Sequence, residues 1–365
     1  MTRQEILQAL GRYADDLAEG RETIPESSAE TNSGNCLTAA FLNLYKATGK
    51  EKCLTFARNM LDSSIPGDYA QDRSIGSFGM GKNFLTLYDL TGLPRYRDTV
   101  EVFRRHMDRL PRTREGVFRR ASGVIQLEDT YAVHPFYMAY ETRFNGMKGC
   151  LDSYRQFMNI KKYMQDPVTG LYDHGRDETL RMPWANRETG CSPYVVMSAM
   201  GWFLAAMADV LEGMDEQLYY EYRGIMAMLK DAADALLPFQ EPESGLFQQI
   251  IGQPGLPGND PETSGTFLFA YSVLKGVRLG YLPKWFIACG EKAFYGSCCR
   301  CLSPDNGGQV RFSGVSPEFD LGSAGSSRDL LPCYLSQLPL QNKLSGLGPM
   351  MLAYAEMLTP RKAVW

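Results

Sequence analysis

The sequence predicts an all-α protein, an (α/α)6 toroid or barrel of about six helical hairpins. Three observations predict it. Apolar residues recur at three- and four-residue steps through nearly the whole chain, convincing alternating strands are few and short, and one glycine-aromatic turn returns between pairs of helical stretches.

In chain order, the helical spacing covers 5–17, 36–45, 84–90, 131–140, 194–211, 220–237, 267–279 and 347–358. Fainter stretches at 52–61, 96–107, 151–164 and 284–295 bring the total to about twelve. Segment 194–211, YVVMSAMGWFLAAMADVL, is apolar on every side and fits an inner helix. LYYEYRGIMAMLKDAADALL, from Leu218, has one apolar stripe and fits an outer one. The turns REGVF (114–118), PVTGLY (167–172) and PESGLF (242–247) share a polar bend, a glycine and an aromatic, and PDNGGQVRF (304–312) is a looser copy. Enough chain separates successive turns for two helices and a loop, so the repeating unit is a hairpin. A ring of hairpins gathers such turns at one rim, around a central cavity. IGQPGLPGNDPETSG (251–265) reads as a rim loop with Thr263 or Ser264 capping the next helix. No composition shift or linker divides the chain, so residues 1–365 are expected to form a single domain.

Composition bounds the function. Hydrophobic residues at 44% and charged residues at 22% are ordinary globular values. A net charge of -4 without a lysine or arginine block gives no reason to expect nucleic acid or an anionic membrane as partner. The first twenty residues of the sequence lack the unbroken apolar core of a signal peptide, and 194–211 carries Ser198, Gly201 and Asp209 without a basic flank. A soluble, cytoplasmic protein is expected, with homo-oligomerisation left open. Nine cysteines are scattered except for CCRC (298–301), whose spacing is too short for paired zinc ligands, and they read as reduced thiols.

The sequence contains no Gly-x-Ser-x-Gly elbow and no Gly-x-Gly-x-x-Gly following a strand, and GSFGMGKN (76–83) is glycine-rich but lies among helices and does not read as a nucleotide-binding loop. Carboxylates are left to carry chemistry. In IQLEDTYAVHPF, Glu128 and Asp129 open an apolar helix. Acids favour that position because the first-turn amides are positive. Alternatively, Asp129 faces the cavity, where burial and a neighbouring acid raise its pKa and equip it to donate a proton.

GLYDHGRDET (170–179) sets His174 between Asp173 and Asp177. The spacing matches neither a zinc helix nor a calcium loop, so no metal and no cofactor are expected. A histidine bonded to substrate or to a catalytic carboxylate fits, as does one that orders its loop. Trp184, in the polar loop RMPWANRETG, is the better candidate for the cavity, whereas Trp202 sits inside the most apolar helix and reads as core.

Several long segments resemble the unsaturated rhamnogalacturonyl hydrolases of glycoside hydrolase family 105, with the unsaturated glucuronyl hydrolases of family 88 as cousins. They are TGLYDHGRDE, WANRETGCSPYVVMSAMGWFLAAMADVLE, SGLFQQIIGQPGLPGNDPETSGTFLFAYSVLKGVRLGYL and the terminal GLGPMMLAYAEML, supported more weakly by NLYKATG and TLYDLTG. The resemblance implies an (α/α)6 toroid and a metal-free reaction on a sugar whose 4,5 double bond was left by a polysaccharide lyase. An aspartate protonates the vinyl ether at C4 and assists water at C5, and the hemiketal collapses to release the next sugar. By its place before TYAVHPF, Asp129 matches the family's catalytic aspartate. By its place in GLYDHG, His174 matches the substrate-site histidine.

The pocket departs from that pattern. A second acid is expected within RSIGSFGMG, where glycine or Ser77 stands; Arg119 and Arg120 replace a histidine and a lysine; Val196 and Ser198 replace a tryptophan and an arginine; Asn32 replaces an early aromatic. The resemblance therefore implies a glycoside hydrolase acting on a short uronate-containing oligosaccharide through an altered pocket. Asp129 is the general acid/base, and His174, Arg119, Arg120, Trp184, Ser77 and Ser198 bind substrate. Arg119, Arg120 or Arg187 would take the uronate carboxylate with two parallel hydrogen bonds. Two alternatives stand beside it: a toroidal glycosidase on a saturated sugar that pairs Asp129 with Asp173 or Asp177, and a sugar-binding toroid without catalysis.

Overall fold

The computed structural model describes residues 1–22, 31–65, 74–304, 310–315, 319–324, 327–336, 340–341 and 344–361. Its helices are α1 (Arg3–Ala18), α2 (Asn32–Thr48), α3 (Glu51–Asp62), α4 (Gly79–Thr91), α5 (Pro94–Met107), α6 (Asp129–Phe144), α7 (Cys150–Met164), α8 (Met197–Gly213), α9 (Tyr219–Leu236), α10 (Thr263–Arg278), α11 (Phe286–Cys301), the short α12 (Leu331–Leu335) and α13 (Leu344–Leu358). Helices α2, α4, α6, α8, α10 and α13 pack each on the next, and α13 returns to α2, closing a ring. The other long helices form an outer layer around it. The predicted (α/α)6 toroid is the observed fold.

Burial separates the two layers as the patterning requires. Helix α10 is buried without a break from Thr263 to Val277. Outer helix α3 buries only Cys53, Leu54, Ala57 and Leu61, one stripe at helical spacing. Between inner neighbours the backbones come close: a Cβ on Gly201 would lie 2.8 Å from the Gly265 Cα, and one on Gly265 would lie 2.4 Å from the Met197 carbonyl oxygen. Only glycine admits that approach of α8 to α10.

Each inner helix returns from an outer one, so the inner helices run the same way and bring their N-termini to one rim. Contacts there agree: Asn32 Nδ2 donates to the Glu128 carbonyl oxygen, joining the starts of α2 and α6, and Asn35 Nδ2 donates to that of Gly76, ahead of α4. The repeated turns are built alike. Gly116, Gly170 and Gly245 all have left-handed backbones, with φ of 89°, 75° and 75°. In the second and third copies the glycine amide bonds back to Asp166 and Glu241, whose own amides bond forward to Leu171 and Leu246. Gln165 and Gln240 each donate a side-chain bond to the glycine carbonyl, 3.0 Å in both. The following Phe118, Tyr172 and Phe247 are buried wedges. Most of the looser fourth copy lies outside the described residues.

Two expectations are corrected. The 194–211 helix begins only at Met197, because Val196 pairs with Ile250 in a β-bridge and Val195 accepts a bond from the Ile251 amide. Beta-branched residues favour such extended backbone. Helix α10 is capped by Glu262, not by Thr263 or Ser264; its carboxylate accepts the amides of Ser264 and Gly265 at 2.8 and 2.6 Å.

Inside the ring, Asp209 of α8 accepts Lys275 Nζ at 2.5 Å and the Tyr271 hydroxyl at 2.5 Å, both from α10, and also pairs with Lys82 of α4. Burial alone would raise Asp209, but Lys275 and then Lys82 outweigh it and hold the carboxyl well below its usual range. Among the described residues no helix is long and apolar enough to cross a membrane.

Candidate active site

Two short strands set up the rim site. β1 (Val124–Gln126) pairs antiparallel with β2 (Gly175–Asp177), with Gln126 opposite Gly175, and the Leu127 amide donates to the His174 carbonyl oxygen at 3.1 Å. A side chain on Gly175 would lie 2.7 Å from the Ile125 carbonyl oxygen, so glycine is required for this ladder. The pairing places the start of α6 beside the His174 loop. Ahead of β1, a turn closed by the Arg120 amide on the Val124 carbonyl oxygen, 2.9 Å, brings Arg120 back over the start of α6.

Asp129 is the first residue of α6 and only 4% exposed. Arg120 Nε lies 3.1 and 3.0 Å from its two oxygens, Nη2 lies 2.8 Å from Oδ1, and Nη1 reaches Asp320 Oδ1 at 2.7 Å. Burial raises the Asp129 carboxyl to about 6; Arg120 opposes that rise and the charge of Glu128 adds to it. A carboxyl so placed carries a proton in mildly acidic solution and can give it up.

Glu128 faces the other way. Its Oε1 accepts His174 Nε2 at 3.0 Å and Gln126 Nε2 at 2.6 Å, and His174 Nδ1 lies 2.7 Å from the Tyr334 hydroxyl of α12. Burial alone would raise Glu128, but His174 and then Arg120 outweigh it and hold the carboxyl below its usual range. Gln126 ties this group to the stretch before α12: Nε2 donates to the Phe319 carbonyl oxygen, and Oε1 accepts the Leu321 amide at 3.0 Å.

The structure thus brings Asp129, Arg120 and His174 together at the rim. Arg119 turns elsewhere, with its guanidinium on the carbonyl oxygens of Arg112 and Arg120. Arg187 is exposed and bonds to the Leu180 carbonyl oxygen. Ser77 is buried in the turn ahead of α4, its hydroxyl on Ser74 at 2.8 Å, and Ser198 is half-buried in the first turn of α8. Trp184 is buried, and its indole nitrogen has no partner in the protein. The acids flanking His174 in sequence do not join it. Asp177 accepts the amides of Thr179, Arg181 and Met182 and orders its own loop, whereas Asp173 lies beside Cys191. Among the described residues no group of three or more histidines, cysteines and acids is arranged to hold a metal ion.

Several residues at the rim gave little or no signal in the sequence. Asp320, Tyr334 and Phe319 are 200, 160 and 193 residues from their partners and follow no motif. Asn32 Oδ1, Glu128 Oε2, Thr263 Oγ1 and Ser264 Oγ are buried at the starts of α2, α6 and α10 without a partner in the protein. Buried polar atoms of this kind call for a donor or acceptor from water or ligand. An ionisable acid, a guanidinium and a ring of unfilled hydrogen-bonding groups suit a polar, acidic ligand.

Comparison with known proteins agrees with the fold. A glycoside hydrolase from family 105 of C. acetobutylicum ATCC 824 superposes with a TM-score of 0.87 at 28% identity, over 98% of this chain and 99% of that one. The 24.9 kDa protein in the picA locus of Rhizobium radiobacter is 32% identical over 233 residues, 61% of this chain and 97% of its own length. The unsaturated rhamnogalacturonyl hydrolase YesR of Bacillus subtilis is 26% identical over 220 residues, 58% of this chain and 61% of its own length. The sequence profile of Glycosyl Hydrolase Family 88 matches residues 19–360, and the chain belongs to that family of glycoside hydrolases.

Proposed function

We propose that this glycoside hydrolase releases a 4,5-unsaturated uronic acid from the non-reducing end of a short oligosaccharide by hydrating its vinyl ether. The observation that carries this is the Arg120–Asp129 pair: a buried carboxyl raised to about 6 and gripped by a guanidinium. Arg120 has the planar geometry to take the uronate carboxylate in place of Asp129. Freed of its counter-charge in a buried site, Asp129 then holds its proton more strongly, next to the carbon that must receive it.

The steps balance. Asp129 gives its proton to C4 as the C4–C5 double bond is lost, a water oxygen bonds to C5, and the water's proton leaves to a base. The C5 hemiketal opens to a ketone, passing its proton to the ring oxygen, and the C1 hemiacetal so formed expels the next sugar as an alcohol. One water is consumed for each bond cleaved. His174 orients the site through its carboxylate partner, and Trp184, Ser77 and Ser198 are proposed substrate contacts. The name of the relative YesR, an unsaturated rhamnogalacturonyl hydrolase, supports the same substrate class.

Turnover in deuterated water tests the chemistry. Deuterium appearing at C4 of the released acid is the expected result. Cleavage of saturated chromogenic glycosides with unsaturated disaccharides untouched would replace this function with a displacement on a saturated sugar. Measurable binding of both kinds without turnover of either would replace it with a sugar-binding role.

A further inference from the structure

We infer that Glu128 supplies the second carboxylate of the reaction centre, acting as the base toward the attacking water, and that His174 and Gln126 are positioning residues for it. This rests on the hydration chemistry proposed above. Glu128 fills a gap in the pattern that the resemblance implies, since glycine or Ser77 stands where a second acid was expected and the Ser77 hydroxyl is turned onto Ser74.

The geometry separates two adjacent carboxylates. Consecutive residues at a helix start point away from each other, so Asp129 meets Arg120 while Glu128 meets His174. One Glu128 oxygen is fully engaged by His174 Nε2 and Gln126 Nε2. The other, Oε2, is buried and has no hydrogen-bond partner in the protein. An ionised carboxylate oxygen in that state is costly to leave bare, and a water molecule is the smallest donor that can satisfy it. Water held there has its own proton directed at Glu128. The hydrogen bonds that hold Glu128 come from two directions, with His174 fixed in turn by the Tyr334 hydroxyl at 2.7 Å.

The electrostatics support the same division of labour. Asp129, Arg120, His174 and Tyr334 are the titratable groups around Glu128. Burial raises both carboxyls; His174 and Arg120 outweigh it at Glu128, which ends lowered, whereas at Asp129 burial prevails over Arg120. Adjacent carboxyls pushed apart in this way make one acid and one base at the same pH. In the reaction Glu128 takes the proton that water loses on bonding to C5, while Asp129 loses its proton to C4; exchange with solvent restores both.

Glu128→Gln keeps the size of the side chain and an acceptor for His174 but removes the base. With the full-length protein and an unsaturated disaccharide that the parent cleaves, kcat should fall about 100-fold or more while KM changes less than about threefold. The acidic limb of the pH profile should disappear in that variant, a change that a structural role would not cause. In Glu128→Ala, added formate should restore part of the lost rate, which also serves if the Gln variant folds poorly. An active parent with Glu128→Gln within about threefold of its kcat overturns the assignment while leaving the proposed function intact. A parent inactive on every unsaturated disaccharide overturns both.

Discussion

Arg120 holds both oxygens of Asp129, with Nε at 3.1 and 3.0 Å and Nη2 at 2.8 Å, and lays its remaining arm on Asp320 at 2.7 Å. A guanidinium held between two carboxylates can pass from one to another, or to a third carboxylate brought by a ligand, and the carboxyl it leaves stays uncharged by holding a proton. That exchange is the step by which a uronate would both anchor itself and release the acid.

Replacing Arg120 by Met should therefore act on the substrate carboxylate first. KM for an unsaturated uronide should rise roughly 10- to 100-fold, the worth of a charge-assisted bidentate contact, while a methyl-esterified substrate should be much less affected. Arg120→Lys should recover only part of the loss. Equal KM values for parent and Met variant would remove Arg120 from substrate binding.

The pH dependence has a defined sign. Asp129 must carry its proton to donate it, and its carboxyl is raised to about 6, so kcat/KM should be highest on the acidic side and fall as pH rises through about 6. The rate of an Asp129→Glu variant, measured over the same range, should fall at a shifted pH. A rate that rises through pH 6 would mean that Asp129 acts as a base.

Stability depends on a different cluster. Lys275→Met leaves the buried Asp209 carboxylate with only Lys82 of its two lysine partners and should destabilise the fold by up to about 3 kcal/mol, the low end for breaking a buried pair. Asp209 is depressed in the folded state, so its contribution is present above its ordinary value of 3.8 and is lost as the solution is acidified below it. Thermal melts of parent and variant between pH 7 and pH 3 check both statements; the difference between them should narrow toward the acid end.

Gly265→Ala places a Cβ 2.4 Å from the Met197 carbonyl oxygen, where backbone rather than a flexible side chain must yield. Overpacking of this sort costs roughly 1–3 kcal/mol, and the melting temperature should drop accordingly. An unchanged melt would show that α8 and α10 can part without penalty.

Much of the scaffold was legible because each helix writes its burial into its spacing. The 194–211 stretch is apolar all round and the one from Leu218 along one side, and α8 lies in the inner ring and α9 in the outer layer as expected. The shared turns were legible because a left-handed residue followed by a buried aromatic needs a glycine and then a ring, as at Gly170–Tyr172 and Gly245–Phe247. The site was legible only where its residues are close in sequence: Glu128 and Asp129 open a helix as expected. Pairing across the ring has no local signature. Nothing near Arg120 announces Asp320, nothing near His174 announces Tyr334, and nothing in the spacing says that Arg119 and Arg120 face opposite ways. The start of α8 was misplaced because an apolar run with two valines reads equally as helix or as extended chain until its partner, Ile250, is known.

The most direct test of the account is to incubate the purified protein with unsaturated disaccharides from pectin and glycosaminoglycan lyase digests and follow the ultraviolet absorbance of the C4–C5 double bond. The account predicts that the absorbance decays with at least one of them, and that Asp129→Asn abolishes the decay while melting like the parent. No decay with any of them, or decay at a near-normal rate in Asp129→Asn, would contradict it.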